Sequence, residues 1–173
     1  YNPQKARTLF AEFGQDLTVT LRTPTFMPEH AVDISLFIKN SLNTVGIDVN
    51  LEIIENRPDY ARQIGGKNIG DIALFDSSPH STFRVLNDKI SSTTRGFWWQ
   101  GYNNTELENQ ITCANECIPS SRRADEYAKC LSILQTDPPW LYLAHPNSIC
   151  ATRPEIDGFS INHKGLLQIE KVQ

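Results

Sequence analysis

The residues best suited to chemistry lie in Phe75-Asp76-Ser77-Ser78-Pro79-His80, a carboxylate, two hydroxyls and an aromatic ring on a loop stiffened by proline. Asp76 there can take a ligand ammonium in a charge-assisted hydrogen bond. Alternatively, Asp76 or Ser77 caps the helix that follows, as short polar side chains commonly do. Arg57 and Arg84 carry the planar fork that grips a carboxylate through two bonds, unless each is simply solvated. Trp98, Trp99 and Tyr102 crowd an otherwise irregular stretch. Such rings wall ligand clefts and stack on flat or apolar groups, and they also fill cores. One of the two tryptophans is expected to face a cleft and the other to pack inward. Trp140 falls in an apolar strand pattern and reads as core.

Other chemistries lack their residues. Gly65-Gly66-Lys67-Asn68 has neither the leading spacing nor the hydroxyl after lysine of a phosphate loop. There is no Gly-x-Ser-x-Gly elbow and no zinc-protease helix. His80 beside Ser81 is adjacency along the chain, whereas a nucleophile and its base need adjacency in space. Cysteines stand at 113, 117, 130 and 150. Cys113 and Cys117, four apart on one expected helix face, are poorly placed to bridge. A metal site from Cys113, Cys117, His145 and Cys150 lacks any paired-ligand spacing. Buried free thiols are expected, with room for one bridge, and no metal or cofactor is implied. A Cys150–His145 pair, or Asp76, leaves a small hydrolase as a further alternative.

These groups need a scaffold, and the apolar pattern supplies one. Asn2-Pro3, then Ala6, Leu9, Phe10 and Phe13, then Gly14 spell a capped and terminated helix. Leu17, Val19 and Leu21 alternate with polar residues as in a strand, and Ile47, Val49, Leu51 and Ile53 do so again. Between them, from Pro28, a stripe of Ala31, Ile34, Ile38, Leu42 and Val45 marks a helix stopped by Gly46. A short helix over 59–64 and an apolar strand over 71–75 follow. Strand, helix, strand, helix, strand implies parallel strands joined by right-handed crossovers, in one twisted sheet flanked by helices. Ligands then sit beyond the carboxyl ends of the strands, which selects residues 23–26, 55–57 and 76–79. Further on, the pattern predicts a helix over 79–91 burying Phe83, Val85, Leu86 and Ile90. It then predicts a helix capped by Asn103 with Glu106 completing the cap, a second helix carrying Ala124, Tyr127, Leu131 and Leu134, and strands over 140–144 and 149–151. Extended segments at 158–161 and 166–169 close the chain.

Composition sets the outer bounds. The 173 residues suit one α/β domain. With 39% apolar and 21% charged residues, the composition is that of an ordinary globular protein. Basic residues are scattered, Arg122-Arg123 being the densest spot, and the net charge is −4, so no nucleic-acid partner is expected. No apolar run approaches the roughly 18 residues a membrane span needs. The chain opens at Tyr1 without a leader, so the expectation is a fragment.

Five stretches stand in order along the chain: Tyr1-Asn2-Pro3-Gln4-Lys5-Ala6, Val45-Gly46-Ile47-Asp48-Val49, Gly101-Tyr102-Asn103-Asn104-Thr105-Glu106-Leu107, Asp137-Pro138-Pro139-Trp140-Leu141-Tyr142-Leu143, and Arg153-Pro154-Glu155-Ile156-Asp157-Gly158-Phe159. Together they resemble the C-terminal lobe of the family 5 extracellular solute-binding proteins, the peptide- and nickel-binding components of ABC importers, with Thr105 where proline is usual. The resemblance implies a type II periplasmic-binding-protein lobe, an open, mostly parallel sheet. Residues 1–173 would make up most of that lobe, and 166–173 a return toward a missing N-terminal lobe. It implies a non-enzyme that captures a peptide or similar small solute, partners a membrane permease and works in the periplasm or outside the cell. Asp76 falls near the place where such proteins hold a ligand amine, one residue nearer the following proline than is usual. Binding residues are then expected among Asp76, Ser77, Trp98, Trp99, Tyr102, Arg57 and Arg84. The same lobes also serve some transcription regulators as ligand-sensing modules, and that alternative stays open.

Overall fold

The computed structural model describes residues 2–26, 28–76, 81–145, 149, 151, 153–155, 158, 160–162 and 167–168. They fall into two compact units, Tyr1–Ser77 and Ser78–Gln173.

The first unit is the α/β part. Helix α1 (Pro3–Phe13) starts where Asn2 accepts the Lys5 N–H and stops at Gly14, whose φ of 68° is the left-handed value glycine adopts freely. Strand β1 (Leu17–Pro24) and strand β2 (Ile47–Ile54) pair in parallel along their whole length, Leu17 opposite Ile47 through Pro24 opposite Ile54. Helix α2 (Ala31–Asn43) joins them, and α3 (Arg57–Gly65) leads to a short β3 (Ile72–Ala73), which pairs with β1 in parallel at Leu21 and Arg22. The order β2-β1-β3 puts the first strand in the middle. The connection from β1 to β2 and the one from β2 back past β1 to β3 therefore run in opposite directions, and the carboxyl ends of β1 and β3 flank the switch point where open α/β sheets hold ligands. Leu21 and Thr23 of β1, with Ala31, Val49, Tyr60, Ile64, Ile69 and Leu74, are buried around this sheet. Helix α1 buries no residue, and Leu9 and Phe13 are both 55% exposed.

The second unit is built on helices. Helix α4 (Thr82–Val85) begins at Ser81, whose hydroxyl accepts the Arg84 N–H, and widens into a π-turn over Leu86–Ile90. The pair α5 (Thr105–Glu116) and α6 (Ser120–Thr136) supplies Leu107, Ile111, Ala114, Cys130 and Leu134, which with Leu86 and Ile90 form one apolar core. Tyr102, Tyr127 and Trp140 pack against it. Two-residue strands β4 (Ser160–Ile161) and β5 (Leu167–Gln168) pair antiparallel.

Several expectations change. The cap of α5 is Asn104, not Asn103, because it is the Asn104 carboxamide that accepts the Leu107 N–H. Glu106 therefore falls too early to close a capping box. Cys117 lies just past α5, off the helix face it was expected to share with Cys113. Phe83, expected to be buried, is 52% exposed. Residues 140–145 form no strand, and Leu141 is 82% exposed. An apolar run needs a neighbouring strand before it becomes sheet, and among the described residues no strand pairs with this one.

Candidate functional site

In the first unit, the carboxyl ends of the strands bring together two of the residues singled out above. Asn56 ends the β2–α3 connection and accepts the Asp59 N–H, which starts α3 with Arg57 in its first turn. Asp76 follows β3. Arg57 Nη2 lies 3.3 Å from Asp76 Oδ1, with the two side chains 16% and 33% exposed. An opposed pair this far from water interacts more strongly than a surface pair. The Arg57 guanidinium also lies 5.6 Å from the Tyr60 ring centre, within cation–π range.

Tyr60 fixes this corner. It is fully buried, and its phenol reaches the Leu74 carbonyl at 2.5 Å and the Arg22 carbonyl at 3.1 Å. One hydroxyl proton serves one acceptor at a time, and Leu74 is the nearer. The Leu74 N–H in turn donates to the Arg22 carbonyl at 3.0 Å, so α3, β1 and the end of β3 are locked together. Burial raises the Tyr60 pKa, outweighing the nearby Arg57 and Arg22 charges and the bond to Leu74, so Tyr60 remains a neutral donor.

The pair still has capacity for a ligand. Among the described residues, Asp76 Oδ2 has no hydrogen-bond donor and can take one from a ligand; the Arg57 Nε–H also has no acceptor there but is sealed from solvent, so a ligand oxygen would meet the guanidinium at its outer nitrogens. A carboxylate beside a guanidinium can meet a ligand ammonium and a ligand carboxylate together, which suits a zwitterionic group. Asp76 does not cap α4, since Ser81 does so. Ser77, with Ser78, Pro79 and His80, lies outside the described residues.

Arg84 belongs to the second unit. It is half-exposed on α4, with Nε 2.9 Å from Asp88 Oδ2 one turn on.

In the second unit, the aromatic segment runs from the π-turn to α5. Trp98 and Trp99 are both half-buried. Trp98 meets Phe97 edge-on, with centroids 4.8 Å apart. Trp99 donates its indole N–H to the Tyr102 carbonyl at 2.7 Å and carries the Arg95 guanidinium 5.4 Å from its ring centre. The Tyr102 hydroxyl lies 2.9 Å from the Asp137 carbonyl and 3.1 Å from Asp137 Oδ2, tying the start of α5 to the end of α6. Burial, then the bond to Asp137 and its charge, push the Tyr102 pKa up to about 12. Trp140 packs on the core, as expected, and meets Tyr142 edge-on.

Phe97, Arg95 and above all Glu108 belong to this segment without being singled out by the sequence pattern. Glu108 accepts hydrogen bonds from Ser91 and Ser92 and so organises the start of the aromatic segment. Four consecutive hydroxyl residues, Ser91-Ser92-Thr93-Thr94, were the available signal.

Cys113, Cys117 and Cys130 are free thiols, and burial pushes the Cys130 pKa up to about 11. Cys150 lies outside the described residues, so the Cys150–His145 pairing does too. Among the described residues, no group of three His, Cys, Asp or Glu could hold a metal ion, and no helix is long and apolar enough to cross a membrane.

No family model matches the chain. The chain is similar to the oligopeptide-binding protein AppA of Bacillus subtilis, with 24% identity over 99% of the chain and 34% of that protein. It is 29% identical to the probable D,D-dipeptide-binding periplasmic protein DdpA of Escherichia coli, over 75% of the chain and 25% of that protein. The chain thus spans about a third or less of the curated relatives it matches. Among solved structures, AppA in complex with a nonapeptide aligns at a TM-score of 0.79, covering 99% of the chain and 37% of AppA, at 24% identity. A Pseudoalteromonas dipeptide-binding protein in complex with Met-Leu aligns at 0.77 over the whole chain and 36% of its own, at 16% identity. The fold read from the sequence is borne out.

Proposed function

We propose, from a chain that folds as a type II periplasmic-binding-protein lobe, that it forms one ligand-binding lobe of an ABC importer's substrate-binding protein. Its ligand is a peptide or a similar small zwitterionic solute. The observation that carries this reading is the likeness to an oligopeptide-binding protein along 99% of the chain. Three further relatives or neighbours are named for dipeptides, di- and tripeptides, or a bound peptide. The local geometry agrees, because Asp76 and Arg57 meet at the carboxyl ends of the strands.

In this reading Asp76 takes the ligand ammonium and Arg57 takes a carboxylate oxygen while steadying Asp76. Ser77 adds a hydroxyl. Trp98, Trp99 and Tyr102 pack against side chains of the ligand, and Arg84 serves as an outlying positive charge. The chain performs no catalysis. A second lobe supplies the opposing wall, since a half-site cannot bury most of a ligand's surface. Residues 1–173 act as one lobe, with 166–173 returning toward the other. Closure of the two lobes on the ligand is what a membrane permease then recognises, in the periplasm or an equivalent space outside the cytoplasm.

The test is calorimetry on the full-length gene product with di- to nonapeptides. Saturable one-to-one binding is expected. Absence of heat with every peptide would refute the proposal.

A further inference from the structure

Glu108 lies in the first turn of α5, where a carboxylate offsets the positive end of the helix. That accounts for its charge but not for its partners. Oε2 accepts from Ser91 Oγ at 2.8 Å. Oε1 accepts from the Ser92 N–H at 2.6 Å and has Ser92 Oγ at 3.2 Å. Ser92 Oγ is also 3.0 Å from Asn103 Oδ1, and its single proton serves one of these two acceptors at a time. Ser91 Oγ meanwhile accepts the Thr94 N–H at 3.1 Å.

The chain therefore leaves at Ser92 and returns at Asn103 within reach of one hydroxyl, the mark of an Ω-loop. The middle of the loop is seated as well. A Cβ placed on Gly96 would stand 2.3 Å from the Asp88 carbonyl oxygen in the π-turn, so only glycine allows this approach. The far arm is closed by the bond from the Trp99 indole to Tyr102. With its ends and middle fixed, the loop has little freedom left in where it carries Phe97, Trp98 and Trp99.

We infer that Glu108 is a positioning residue for ligand capture: its carboxylate holds the start of the 92–103 loop directly and its end through Ser92, and so sets where Trp98 and Trp99 meet apolar or flat side chains of a bound peptide. The inference rests on the function proposed above, which supplies the ligand. Glu108 suits this role because donors converge on both of its oxygens, whereas an amide there would offer one acceptor oxygen and turn an NH₂ toward a donor. Burial alone would raise the Glu108 pKa. The bonds from Ser91, Ser92 and Thr93 outweigh it and hold the carboxyl below its ordinary value, in keeping with an ionised clasp.

The experiment compares wild type, Glu108→Gln, Ser92→Ala and, as a control, Glu126→Gln in the full-length protein. Glu126 is also a hydrogen-bonded helix carboxylate, but its partners are Gln110 and Lys129. Three readouts are taken, namely amide exchange across 92–103, tryptophan emission, and calorimetric affinity for a random-sequence pentapeptide pool. Glu108→Gln and Ser92→Ala are expected to speed exchange in the loop at least tenfold, shift emission to the red and weaken binding at least tenfold. Glu126→Gln should change none of these. Unchanged exchange and emission in both loop variants would overturn the inference, as would a loosened loop with undiminished affinity. If Glu108→Gln fails to fold, Ser92→Ala decides, since it removes a single hydroxyl. A wild-type protein that binds no peptide overturns the proposed function and the ligand half of this inference together. Equal binding by wild type and variants overturns this inference alone.

Discussion

The two units hold their candidate residues in opposite ways. In the first, Arg57 and Asp76 stand at the ends of regular elements, placed by the parallel register of β1 with its neighbours and pinned by the buried Tyr60. In the second, the tryptophans stand on an irregular loop whose shape depends on a few side-chain bonds to Glu108 and one glycine contact. Backbone ladders distribute the load over many weak bonds. A clasped loop concentrates it, so single substitutions should act more sharply there.

The largest effect that would sharpen this contrast is expected from Gly96→Ala. Its Cβ would collide with the Asp88 backbone, which cannot rotate away as a side chain can. A loss of about 3 kcal/mol in chemical denaturation is expected, with exchange rising in the second unit and unchanged around β1 and β2. A neutral Gly96→Ala would show that the loop is not seated as described.

Glu108→Gln comes next, at about 2 kcal/mol, because charge-assisted bonds are lost and a donor faces a donor. Its pH dependence has a fixed sign. The carboxyl is more acidic in the folded state than in the unfolded chain. Its stabilisation is therefore present above the ordinary carboxylate pKa and fades as pH falls through the lower folded value. The stability gap between wild type and Glu108→Gln should be full at pH 7 and close on acidification below about pH 4. A gap that widened in acid would contradict the clasp.

Tyr60→Phe tests the other region. It should cost about 1 kcal/mol by thermal melting, since it removes a donor from the Leu74 carbonyl. The paired strands keep the Arg22–Leu74 bond, so the fold survives. A loss larger than that of Glu108→Gln would invert the comparison. Arg84→Ala should cost only about 0.3 kcal/mol, as exposed pairs one turn apart on a helix do.

The same contrast explains what the sequence disclosed. The alternation in β1 and β2, the Asn2 and Gly14 signals around α1 and the position of Asp76 past β3 are local or periodic patterns, and all can be read directly. The cap of α5 falls one residue beyond the expected place because Asn103 and Asn104 are both competent, and Asn103 is instead bonded to Ser92. The π-turn at Leu86–Ile90 leaves no periodic mark over so short a span. Glu108 reads as an ordinary acidic residue at a helix start; its role comes from serines 16 and 17 residues earlier, a distance at which spacing rules carry nothing. The Trp140–Leu143 pattern is strand-like, yet a strand forms only beside a partner.

The measurement that bears most directly on the central claim is the calorimetric affinity of the full-length protein for one pentapeptide with a free amino terminus and for its N-acetylated form, in wild type and Asp76→Asn. If Asp76 receives the ligand ammonium, acetylation should weaken wild-type binding at least tenfold, and Asp76→Asn should bind both forms with the same reduced affinity. Equal affinity of the wild type for the two peptides would contradict the account.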